Sequence, residues 1–297
     1  MELPQDNNTD SQTINRLKLI ETKQSHTIIH NCDDIRRFAN TFNVDKRHLA
    51  LCLYLTMRRK YCTNNPYNLN YSERRDSKNA TISQGTKILN RVIIPGGPNF
   101  ERRLYQNILR LETPIGSYTD NDINVPNHAL ALYVMIDPKD TIKAMSKVLS
   151  KCVDSLTNYS KSEELPNAYS LYREEIPKSN STGQKYKQID LDTKDLKQVE
   201  ETHALLVKLN ITIIMCIETH GGFHIIYSAD TDKDINRALY EFKQKTAFKK
   251  DNIDGKTVTD YWFSITHQPN VIMPGTYQGG FPARIINLND WITHASR

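Results

Sequence analysis

The residues of this chain best suited to chemistry lie between positions 189 and 224. The run Ile189-Asp190-Leu191-Asp192 alternates apolar and acidic residues, and successive side chains of a strand point to opposite faces. Ile189 and Leu191 can therefore enter a core while Asp190 and Asp192 project together from the other face. Two carboxylates held close together repel, and a divalent cation is the usual way to keep both ionised. Downstream, the β-rich runs 211–217 and 223–228 flank Glu218-Thr219-His220-Gly221-Gly222, a hairpin pattern. His224 then emerges on the face it shares with Ile226 and Ser228, opposite Phe223, Ile225 and Tyr227. Gly221 and Gly222 remove side chains immediately before it, where backbone must approach something closely. Two acids and a histidine turned towards one concave face point to phosphate chemistry.

The elements that must position these residues follow from pattern and punctuation. Residues 1–25 are rich in Asn, Asp, Gln and Thr and read as a loose tail. Residues 26–100 read as a helical N-terminal region and linker. Asp33 or Asp34 could cap a first helix, and Asp45 precedes a second that ends in Arg58-Arg59-Lys60. That basic run complements a helix C-terminus or touches nucleic acid. The stretch 63–100, with Arg74 and Arg75, is punctuated by Asn, Pro and Gly and reads as a long loop or small ribbon region. Within 101–297 the expected order is a short helix from Phe100 to Leu111, a strand over 128–136 stopped by Asp137-Pro138, and a helix over 141–158. That helix carries Ile142, Met145, Val148, Leu149 and Val153 on one side. A polar excursion, the strand 186–192, a helix over 195–209, the hairpin, and a helix over 231–248 come next. Strands near 261–265 and 283–288 close the chain. Helices interleaved with a hairpin and other strands imply an α+β domain with a mixed or antiparallel sheet flanked by helices.

Bulk properties narrow the class. With 297 residues, 38% hydrophobic and 25% charged, the chain is long and apolar enough for a sizeable core and is globular rather than fibrous. A net charge of +5 permits a polyanion-binding groove without demanding one. Its five cysteines are scattered without a Cys-x-x-Cys pair, so neither a disulfide framework nor a structural zinc module follows, and a reducing compartment fits best. No apolar run has membrane-spanning length and the start is polar, so the expectation is an intracellular protein away from membranes, cytoplasmic or nuclear.

The chain resembles the archaeo-eukaryotic primase superfamily of primases and primase-polymerases. Asp190-Leu191-Asp192 is similar to that family's strand-borne Asp-x-Asp, and Thr219-His220-Gly221-Gly222-Phe223-His224 to its Gly-rich turn into a strand histidine. Met273-Pro274-Gly275-Thr276 with Gln278-Gly279-Gly280 looks like the stretch that follows the family's third acidic motif. The match covers roughly residues 186–285 and implies a primase-like catalytic core over 101–297. It implies a template-dependent nucleotidyltransferase with Asp190, Asp192 and a third acid holding Mg²⁺ or Mn²⁺. Asp260 is preferred for that third acid over Asp251 and Asp254, because it enters a strand. His224 would contact an incoming nucleoside triphosphate, aided by Gly221 and Gly222 and by positive charge from Lys187, Lys194 or Arg284. Arg58, Arg59, Lys60, Arg74, Arg75 and Tyr277 are candidates for contact with a single-stranded nucleic-acid template. No helicase-type phosphate loop is present, so unwinding would fall to a helicase or other replication partner. The competing expectations are an inactive nucleic-acid-binding accessory protein on the same fold and a metal-dependent nuclease or phosphoesterase.

Overall fold

Among the described residues antiparallel pairing builds two large sheets and two two-stranded ribbons, and the packing of the large sheets against each other positions the acidic segment. The computed structural model describes residues 25–58, 86–120, 123–157, 167–180, 185–230, 233–251, 257–266 and 270–296. In chain order the first elements are α1 (Cys32–Thr41), β1 (Leu49–Arg58), β2 (Thr86–Pro95), α2 (Phe100–Leu109), β3 (Thr119–Asp120), β4 (Ile123–Asn124) and β5 (Leu130–Asp140). Next come α3 (Thr141–Thr157), α4 (Ala168–Glu175), β6 (Tyr186–Leu191), α5 (Leu196–Lys208), β7 (Ile213–Glu218), β8 (Phe223–Ser228) and α6 (Lys233–Lys245). The chain closes with β9 (Ala247–Asp251), β10 (Thr257–Tyr261), β11 (Phe263–Thr266), β12 (Asn270–Ile272), β13 (Tyr277–Gln278), β14 (Phe281–Pro282), β15 (Arg284–Ile286) and α7 (Leu288–Ala295).

The first sheet runs β14-β13-β5-β1-β2, with β12 also on β5; the second runs β11-β6-β8-β7-β15. Alternation gives each sheet two uses. Ile189, Leu191, Phe223, Ile225 and Tyr227 of the second sheet join Val199, Leu206, Leu239 and Leu288 of the flanking helices in one core. Its other face sends Met215, Ile217 and Ile226 into the main core, with Leu51, Leu53, Leu55, Leu132 and Val134 of the first sheet and Phe38 of α1. The far face of the first sheet is partly covered, where Cys52 and Tyr54 meet Ala144 and Ile176. The architecture is α+β, with antiparallel sheets flanked by helices and a helix near the N-terminus.

Several expectations are corrected. The helix expected after Asp45 is β1. Its eight interior residues are all buried, so the sequence lacks the alternation that marks a half-exposed strand. Residues 86–95 of the expected loop or ribbon region form β2, paired along β1 in the first sheet rather than in a separate ribbon. The first sheet therefore runs across the boundary drawn at residue 100. β5 does not stop at Asp137-Pro138. A register shift between Ala50 and Cys52 on β1 makes room for the proline, and the strand continues to Asp140. The polar excursion contains α4, capped by the Asn167 side chain. The last expected strand is the short β15 followed by α7. Helix α3 forms as expected but buries only Ala144 and Val148, leaving Ile142, Met145, Leu149 and Val153 exposed. Among the described residues no helix is long and apolar enough to cross a membrane.

Candidate active site

Residues opposite each other in an antiparallel pair share a sheet face. In the second sheet, Asp190 of β6 stands opposite His224 of β8 on one side and Ser264 of β11 on the other. The row continues from His224 to Ile217 of β7. The hairpin thus brings the histidine onto the strand beside the first aspartate, as its pattern implied. His224 Nε2 lies 3.4 Å from Asp190 Oδ1. On its far side, His224 Nδ1 accepts the backbone N–H of Ile272 in β12 at 3.1 Å. A ring nitrogen that accepts cannot carry the proton, so the neutral imidazole holds it on Nε2, facing the carboxylate. Burial pushes the His224 pKa down to about 4, with Arg58 acting in the same direction and Asp192 against it. The ring is therefore neutral near pH 7.

Asp192 sits one residue beyond β6 and is exposed. Its backbone N–H donates to Trp262 O at 2.9 Å, which prolongs the pairing with the segment before β11. Gly222 explains the glycine pair in part. A Cβ there would fall 1.7 Å from Leu191 O and 2.7 Å from the Thr193 nitrogen, so the hairpin turn is seated on the end of β6 itself. A Cβ on Gly221 would meet only Asp192 Oδ1, at an ordinary 4.0 Å. The turn is closed by Thr219, whose N–H donates to Gly222 O at 2.8 Å and whose Oγ1 accepts from Gly222 N–H at 3.2 Å.

The expected cations separate into different surroundings. Lys187 shares the parity of Ile189 and Leu191 and so faces the helical side. It is buried, its Nζ donates to Asn236 Oδ1 at 2.8 Å, and burial lowers its pKa. Lys194 and Arg284 meet on one carboxylate that sequence reasoning missed, the buried Glu218 at the end of β7. Lys194 Nζ lies 2.8 Å from Oε1 and Arg284 Nε 2.7 Å from Oε2. Lys194 also caps the Phe281 ring at 4.1 Å from its centroid. An acidic residue ending an apolar strand was the available signal, but its partners are distant in sequence. Arg58 ends β1 and donates to the Tyr133 hydroxyl. Tyr277 lies apart, against His30 with ring centroids 5.4 Å apart. Arg59, Lys60, Arg74, Arg75 and Asp254 fall outside the described residues.

Asp260 belongs to β10, paired with β9 opposite Phe248, and its Oδ1 accepts its neighbour Tyr261's N–H at 2.9 Å. The expected strand at 261–265 is split at Trp262, and the β11 residue opposite Asp190 is Ser264. Among the described residues no three His, Cys, Asp or Glu side chains are grouped to hold a metal ion. Asp190 and Asp192 supply hard oxygen donors of the kind Mg²⁺ and Mn²⁺ take. Near Asp260, Phe263 is buried and Trp262 packs edge-on against Phe242 at 5.8 Å, which assigns both to packing. Compared with family models, curated proteins and solved structures, the chain shows no match.

Proposed function

We propose that the chain is a divalent-metal-dependent nucleotidyltransferase of the primase or primase-polymerase kind, joining nucleotides on a single-stranded nucleic-acid template. On this reading the second sheet and its helices are a primase-like catalytic core. The observation that carries it is the Asp190–His224 pair, with the imidazole proton directed to Nε2. Asp190 and Asp192 would hold Mg²⁺ or Mn²⁺, which when bound supplies positive charge against phosphate oxygens. His224 stays neutral at pH 7 and serves as a hydrogen-bond donor rather than a general acid. Its 3.4 Å contact is long for N–H···O, so Nε2–H can turn to a phosphate oxygen beside Asp190. Asp192, exposed at the strand end, is near enough to act on the charge of the same ring.

The test is metal-dependent incorporation of a labelled nucleotide on a single-stranded template, with Mg²⁺ and Mn²⁺ assayed separately. Asp190→Asn should reduce incorporation at least about 10²-fold. Asp260→Asn, altering a residue of the separate β9–β10 ribbon, should cost far less. Ser264 opposite Asp190 favours one rival, an accessory protein that binds nucleic acid without joining nucleotides. A wild-type protein inert with both metals, yet still binding the template, would establish that rival. Shortening of the strand without triphosphates would establish a nuclease.

A further inference from the structure

The far face of the first sheet is only partly covered by α3 and α4, and a cleft of about 500 Å³ opens on it. Tyr54, Thr56 and Arg58 line it from alternate positions of β1, with Arg91 from β2, Tyr133 from β5 and Asn270 from β12. Its charge is carried by guanidinium groups, and among the described residues no acidic side chain lines it. Arg91 stacks over Tyr54, 5.3 Å from the ring centroid, and Arg58 over Tyr133 at 5.8 Å. Arg91 donates to the backbone oxygen of Arg173 in α4, and Arg173 Nη2 returns the bond to Arg91 O at 3.1 Å. A carbonyl orients a guanidinium without cancelling its charge. Among the described residues neither Arg91 nor Arg173 has a carboxylate within ion-pair distance.

Two connections join this cleft to the Asp190–His224 pair. Asn270 begins the strand whose Ile272 N–H holds His224. Gln278 accepts the His220 N–H at 2.8 Å and donates to the Tyr133 hydroxyl at 3.3 Å, tying the hairpin turn to the cleft wall.

We infer that this cleft binds a segment of single-stranded nucleic acid, a phosphodiester on Arg91 and its bases against the stacked arginine–tyrosine pairs. The inference rests on the transferase reading for what the strand is used for, but its binding can be measured without any reaction. A nucleoside triphosphate travels with a divalent cation, and a lining of arginines and phenols offers that cation nothing. A phosphodiester backbone needs only fixed cations, and flat cation–aromatic surfaces accept bases without regard to sequence.

The experiment measures binding of a fluorescent oligothymidylate by anisotropy, without metal or triphosphate, over a range of salt. Arg91→Gln should weaken the strand about tenfold and flatten the log–log salt slope by about 0.7, the loss of one phosphate contact. A 5-iododeoxyuridine strand photo-crosslinked to the wild-type protein should attach at Tyr54 or Tyr133, a readout independent of how the variant folds. Unchanged affinity and slope, or crosslinks confined to other surfaces, would overturn the inference. So would a variant that loses a nucleoside triphosphate while keeping the strand. Incorporation by a wild type whose strand binding ignores Arg91 would remove the cleft and leave the transferase reading standing. An inert wild type that binds the strand through Arg91 would support the cleft and remove the transferase.

Discussion

The hairpin site of the second sheet and the cleft of the first hold charge in opposite ways. In the second sheet, Lys194 and Arg284 share Glu218, and His224 is kept neutral beside Asp190. In the cleft of the first sheet, Arg91 is oriented by a backbone carbonyl, a neutral acceptor. The difference teaches how to read a cation's role. A guanidinium tied to a buried carboxylate has its charge matched within the fold, whereas one aimed by a neutral oxygen has not. The sequence offers both kinds as bare Lys and Arg.

Three experiments press on the second sheet's half of this comparison. The largest effect should come from its seated turn. Gly222→Ala drives a methyl group into Leu191 O and should destabilise the protein by about 3 kcal/mol, an overpacking cost, while Gly221→Ala should be close to neutral. Urea unfolding of both variants makes the measurement, and equal midpoints would mean the turn is not locked.

Acid should act next. The unfolded chain protonates His224 near its ordinary 6.5, the folded chain only near about 4. Between those values the unfolded state binds more protons, so stability is lost as pH falls through that window and levels off below it. The loss from this residue is at most about 3 kcal/mol. His224→Gln should remove that part of the slope when unfolding is compared at pH 7 and at acid pH. Parallel slopes in wild type and variant would show that the ring is not held neutral.

The smallest effect tests charge compensation itself. Glu218→Gln leaves Lys194 and Arg284 on a neutral amide and should cost about 1–2 kcal/mol. An unchanged unfolding midpoint would mean that the two cations are not structural, and the contrast between the sheets would fail.

Local alternation makes the heart of the candidate site legible. Asp-x-Asp, a Gly-Gly turn and a strand histidine specify faces and a hairpin over short distances, and Asp190 and His224 do stand opposite each other. The same alternation, carried back from Asp190 to Lys187, already turns that lysine towards the helices. What stays hidden depends on distant register. Whether β11 presents Ser264 or an acid to Asp190 is fixed by how a strand far along the chain slides into place. β1 shows no period because it is buried on both faces, and Arg91 escapes notice because β2 reads as loop or ribbon.

The contact between Gly222 and the end of β6 also bears on how this unit could be reused. Because the turn rests on Leu191 O, the Asp-x-Asp strand and the histidine hairpin are one graft, not two. A designer moving the hairpin to another scaffold would have to carry residues 189–193 with it, since a turn shaped to that backbone has no seat elsewhere. The intervening α5 could be shortened or replaced, provided that both strands keep their register.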